Sequence, residues 1–176
     1  MTGILSSERF CFLSIHFQVI LRYEKNKAVM INLWQQIADI ADFDKNGEVD
    51  TEEFMGGVET ACKGKAYADL PDAFKFFIEA QFRTIDVDGK SLPYLFLYFD
   101  CLFFAGDGSI GLEEFRFDCV SRMAYSNVEV LDEAFKRVAE SDNISLARYK
   151  DLYAQFLGNP DESCVACSLF GPLPEL

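Results

Sequence analysis

Residues 42–53 read DFDKNGEVDTEE, from Asp42 to Glu53. Counted as a twelve-residue loop, the stretch puts side-chain oxygens at alternating places: Asp42 first, Asp44 third, Asn46 fifth. Gly47 is sixth, Glu48 seventh, Val49 eighth, Asp50 ninth and Glu53 twelfth. A hard divalent cation requires such a set. Calcium takes about six to eight oxygens at roughly 2.3–2.6 Å, and only a chain that turns tightly around the ion brings them together. Gly47 permits the bend, Glu48 offers its backbone carbonyl, Asp50 acts through a water, and Glu53 closes the shell with two oxygens. Val49 points inward, where a short strand can pair it with a second loop.

This is the EF-hand calcium pattern, and the flanks agree with it. Leu33, Trp34, Ile37 and Ile40 or Ala41 recur at helical spacing before the loop, and Phe54, Met55 and Val58 begin another apolar face after it. The expected fold class is all-α: EF-hand helix–loop–helix repeats in two packed lobes.

A second loop is present but interrupted. Thr84 to Phe115 reads TIDVDGKSLPYLFLYFDCLFFAGDGSIGLEEF. Without residues 90–106, which are 17 residues, the remainder is DVDGDGSIGLEE. Asp86 is then first, Asp88 third, Asp107 fifth, Gly108 sixth, Ser109 seventh, Ile110 eighth and Glu114 twelfth. Phe74, Phe77, Ile78 and Phe82 fit its entering helix; Phe115 and Cys119 fit its exiting one. The edges of the insert resemble splice sites. Gly89-Lys90-Ser91 is encodable with GTAAGT, and Phe103 to Gly106 with a pyrimidine tract ending in AG. Residues 90–106 therefore read as translated intron, and RT-PCR across the junction is expected to yield transcripts without them. The alternative is a genuine apolar insertion touching a membrane, but the run lacks the basic flanks and helical charge patterning of such segments. Residues 1–18 invite the same suspicion, since FCFLSIHFQ is similarly rich in Phe, Leu and Ser.

A third repeat follows. Leu131, Ala134, Phe135 and Val138 form an entering face; Leu146, Tyr149, Leu152, Tyr153 and Phe156 form an exiting one. Ile144 falls where the inward eighth residue belongs, so residues 137–148 make the loop. Its first, third and twelfth residues are then Arg137, Ala139 and Arg148, which cannot coordinate calcium. A degenerate hand that keeps its pairing role is expected, with Ile144 against Ile110. The stretch 19–30 reads as an exiting helix. The expected organisation is a doubtful segment 1–18, an amino-terminal lobe 19–85, a carboxy-terminal lobe 86–160 and a tail 161–176.

The composition limits the partners. A formal net charge of −13 repels nucleic acid and anionic membrane and suits cations. No apolar run reaches the roughly 20 residues that span a bilayer. The six cysteines, Cys11, Cys62, Cys101, Cys119, Cys164 and Cys167, show no disulfide framework, and reduced thiols in a cytoplasmic protein are expected. Cys164 and Cys167 form a Cys-x-x-Cys without a second pair to complete a zinc site, so a structural or incidental role is expected. His16 lies in the doubtful segment, and no catalytic constellation stands out.

With these residues in view, the chain resembles the invertebrate sarcoplasmic calcium-binding proteins, at ADFDKNGEVDTEEF, GSIGLEEFRFDCVSRMAYS, ISLARYKDLYAQFLGNPDESC and LFGPL. The resemblance implies compact helical lobes, a normally degenerate last hand, and buffering of calcium and magnesium in muscle or neuronal cytosol. The chain departs from that pattern in lacking a first loop and in carrying the interruption. Two functions follow: a calcium buffer, or a sensor that exposes an apolar surface to a protein target. Met1, Met30, Met55 and Met123 are scattered rather than gathered into a sensor's groove, so a protein target is possible but not indicated.

Overall fold

The computed structural model describes residues 31, 35–36, 38–86, 106–122, 127–161 and 163–171. Leu33, Trp34, Ile37, Asp88, residues 90–105 and everything before residue 31 lie outside the described residues, and with them the expectations placed there.

Helical residues 38–41 lead into the first loop. Helix α1 (Thr51–Cys62) starts because Asp50 and Glu53 form a capping box, each side chain accepting from the other's backbone N–H. It ends at Lys63, followed by Gly64 at φ +67°. A 3-10 turn (Tyr67–Asp69) then leads to α2 (Asp72–Ile85), entered from Pro71. Phe74, Phe77, Ile78, Phe82 and Ile85 recur on one face of α2, and all are buried.

Strand β1 (Ser109–Gly111) and helix α3 (Leu112–Ser121) complete the interrupted hand. Helix α4 (Val128–Val138), strand β2 (Asn143–Ser145) and helix α5 (Leu146–Gly158) form the next. Asn127 caps α4 and Ser145 caps α5 with side-chain oxygens. The strands pair antiparallel, with Ile110 opposite Ile144 as the eighth-residue rule requires. Arg116 on α3 grips the Asp132 carboxylate of α4 with two N–H groups at 2.8 and 2.7 Å.

Helix α5 is the hub, packing against α1, α2 and a 3-10 turn near the carboxy terminus (Val165–Ser168). The apolar core runs without a break from Phe54 and Val58 through Phe77 and Phe82 to Tyr149, Tyr153, Phe156 and Phe170. Buried Tyr153 donates its hydroxyl to Gln81 Oε1 at 2.9 Å, which satisfies the polar end of an otherwise apolar ring. At the rim, Glu79 accepts from Lys150 Nζ at 2.7 Å and from the Tyr67 hydroxyl at 3.0 Å. The Lys150 bond, chiefly, holds the Glu79 carboxyl below its ordinary range.

Helices α1 and α5 meet backbone to backbone. Gly64 N–H donates to Gly158 O at 3.2 Å, and a Cβ on Gly158 would stand 2.2 Å from the Cys62 carbonyl oxygen. A main-chain atom cannot swing aside as a side chain does. Gly158→Ala is therefore expected to destabilise the fold by about 2 kcal/mol, read as a lower urea midpoint with an unchanged slope.

Candidate metal centre

The loop from Asp42 to Asp50 is shaped around its own acidic side chains. Gly47 turns at φ +85° and Lys45 at φ +58°, so two left-handed residues tighten the bend. The Asp42 carboxylate accepts from Asn46 N–H at 3.2 Å and from Gly47 N–H at 3.1 Å. Asp44 accepts from Asn46 N–H at 3.0 Å and from Asn46 Nδ2 at 2.8 Å, and Asn46 Oδ1 accepts from Glu48 N–H at 2.7 Å. Glu53 reaches back from α1 to accept from Asp50 N–H at 3.2 Å and Asp44 N–H at 3.4 Å. Backbone N–H groups thus hold mutually repelling anions in place.

Oxygens of Asp42, Asp44 and Glu53 lie within 4.8 Å of one another. Two oxygens on opposite sides of one calcium ion are separated by roughly twice the bond length, about 4.6–5.2 Å, so this spread fits one ion. Asn46 stands beside them through its bonds to Asp44, and Glu48 follows it in the turn, its N–H held by Asn46 Oδ1. The chain before the loop passes close to α1 at small residues: a Cβ on Gly57 of α1 would stand 2.6 Å from Ala41 Cβ. Val49 packs partly buried against the core but joins no strand among the described residues.

The interrupted loop repeats the same bonds. Gly108 turns at φ +87°, and its N–H donates to the Asp86 carboxylate at 3.2 Å across 22 positions of chain, as Gly47 does to Asp42 across five. Ser109 N–H and Oγ both donate to Asp107 Oδ1, at 2.9 and 2.8 Å. Glu114 accepts from Gly111 N–H at 2.7 Å, as Glu53 does from Asp50. Residues 90–106 interrupt the loop in sequence, yet Asp86 and Asp107 through Glu114 keep the loop's bonding. Close passage makes it possible: a Cβ on Gly106 would overlap the Asp86 carboxylate, so only glycine fits there. Asp88 lies outside the described residues. Among the described residues, the tight carboxylate cluster is the one at Asp42, Asp44 and Glu53.

The degenerate hand shows what replaces an ion. Arg148, in the twelfth place, donates its Nε–H to Val138 O at 3.1 Å, joining the exiting helix to the end of the entering one. A closing glutamate makes that join through a bound cation; Arg148 carries the charge itself. Glu140 N–H donates to Asn143 O at 2.9 Å, with Ser141 at φ +68°, so a tight turn stands where ligands would be. The loop positions announce the missing ligands; only the tertiary structure reveals this bond.

The beta chain of a Penaeus sarcoplasmic calcium-binding protein is 46% identical over 159 residues, covering 88% of this chain and 74% of the relative. The chain belongs to the sarcoplasmic calcium-binding protein family. Sarcoplasmic calcium-binding protein 1 of Astacus leptodactylus is 45% identical over the same shares, and the Scylla paramamosain protein is 42% identical. The solved structure of a sarcoplasmic calcium-binding protein from amphioxus superposes with a TM-score of 0.64 at 23% identity, covering 92% of this chain and 84% of that one. At that identity the likeness speaks for the fold, which is the EF-hand arrangement of the family. No protein-family model matches the chain.

Proposed function

We propose that the chain is a cytosolic calcium buffer that binds the ion at Asp42, Asp44, Asn46, Glu48 and Glu53, with magnesium as competitor. Its chemistry is coordination alone, without catalysis. The buffer reading rests on one observation: the chain's own tail fills the apolar groove of the carboxy-terminal hands. Ala166, Leu169 and Phe170 are at most 2% exposed. The Phe170 ring meets Phe156 at 5.0 Å and Tyr153 at 5.1 Å, edge to face. Arg122, which caps the carboxy-terminal end of α3, pairs with Asp118, donates to Phe170 O at 3.2 Å and lies 5.6 Å from the Phe170 ring centre. A sensor opens such a groove to its target when calcium binds; here opening would strip Phe170 of its ring contacts and break the bond from Arg122 to its carbonyl.

The free buried thiols Cys62 and Cys119 accord with a reducing compartment. No described helix is long and apolar enough to cross a membrane. Binding of an apolar fluorescent dye tests the buffer reading. Calcium should raise its emission less than about twofold in the wild type, whereas Phe170→Ala should bind dye with or without calcium, since truncation uncovers apolar surface. A large calcium-dependent rise in the wild type would favour the sensor instead.

A further inference from the structure

The tail holds a feature that coordination chemistry does not use. Cys164 and Cys167 lie at the start and within the 3-10 turn Val165–Ser168, and Cys167 N–H donates to Cys164 O at 3.0 Å. In a 3-10 helix, side chains three residues apart eclipse one another. The two sulfurs accordingly stand 3.4 Å apart as thiols, both half-buried. The turn is anchored from within by Ala166, fully buried between them in sequence, and by Leu169 and Phe170 just beyond. The backbone is thus fixed by the core while both thiols keep a share of solvent.

We infer that Cys164 and Cys167 form a dithiol that the fold holds ready for reversible oxidation to an internal disulfide by a small disulfide such as oxidised glutathione. One cysteine thiolate attacks a glutathione sulfur, the S–S bond of the oxidant breaks, and one glutathione leaves as thiolate. The second cysteine thiolate then attacks the protein sulfur of the mixed disulfide and releases the second glutathione. In total, two protein thiols lose two protons and two electrons, one protein S–S bond forms, and one glutathione disulfide becomes two glutathiones. The other described cysteines are poor competitors: Cys62 and Cys119 are buried, and burial pushes both thiols up to about 12.

The experiment equilibrates the full-length protein in glutathione redox buffers, folded and in strong urea, followed by acid quench and peptide mass mapping. Trypsin releases residues 151–176 as a peptide whose cysteines are Cys164 and Cys167 alone. In the folded protein this peptide should lose two hydrogens. The effective concentration of the pair should exceed its value in urea at least about tenfold, the gain that orientation supplies. Cys167→Ser should stop at a glutathione adduct on Cys164, with an unchanged circular-dichroism spectrum. Equal effective concentrations in the two states would overturn the proposal. So would a persistent adduct on the wild type, or a disulfide from either residue to another cysteine.

Discussion

Glu53→Gln is expected to weaken calcium binding at the first loop by more than about 100-fold, since even partners outside the inner shell of a metal are worth 10–100-fold. Glu53 serves two masters, and the substitution separates them. As the twelfth residue of the loop, with a carboxylate oxygen beside those of Asp42 and Asp44, it would supply the anionic oxygens that close the proposed shell. As the third residue of α1 it completes the capping box with Asp50. Glutamine still accepts from the Asp50 N–H, because the box takes Glu or Gln alike. The helix is therefore kept while the charge and one strong ligand oxygen are lost. Titration calorimetry measures the affinity and circular dichroism the helix content. An unchanged affinity would refute the ligand shell, and a lost helix would show that Glu53 acts through the cap.

The full-length chain is expected to bind one calcium ion tightly, and deleting residues 90–106 to add a second site. Most of the second loop's bonding is already made: Gly108 to Asp86, Ser109 to Asp107, Gly111 to Glu114. The deletion returns Asp88 to the third place, two residues from Asp86 and directly before Gly89 and Asp107. A ligand at 100 times its dissociation constant stabilises the folded state by about 2.7 kcal/mol. In a chain of this size that raises the melting temperature by roughly 5–10 °C. Calorimetry on both chains, and melting with and without calcium, measure the gain. Two equal tight sites before deletion, or no new site after it, would each refute the expectation.

The two loops were legible because an ion imposes local spacing: alternate oxygens, a glycine sixth, a glutamate twelfth. The eighth-residue rule also marked Ile144 against Ile110, and the strands pair in that register. What the spacing could not carry was contact between distant segments. Nothing local in LFGPL says that Phe170 seats among Tyr149, Tyr153 and Phe156 or that Arg122 holds its carbonyl. Gly158 reads as the last residue of a helix until the Cys62 carbonyl is found against it. The bonding of Asp86 to Gly108 across the apolar run could not be read from the sequence, since spacing counts residues along the chain while the loop's hydrogen bonds need only the two ends to meet.

Arg148 gives the carboxy-terminal pair of loops an unequal character. Its guanidinium travels with the polypeptide, so the strand pairing it supports does not rise and fall with the free ion concentration. In a pair of responsive loops, the first ion orders the second loop and the saturation curve turns sigmoidal. Here one member of the pair is already ordered, so an ion at the loop restored by deleting residues 90–106 would have no partner to recruit. Uptake there is then expected to follow a simple hyperbola, graded over the whole concentration range, as a reservoir would rather than a trigger.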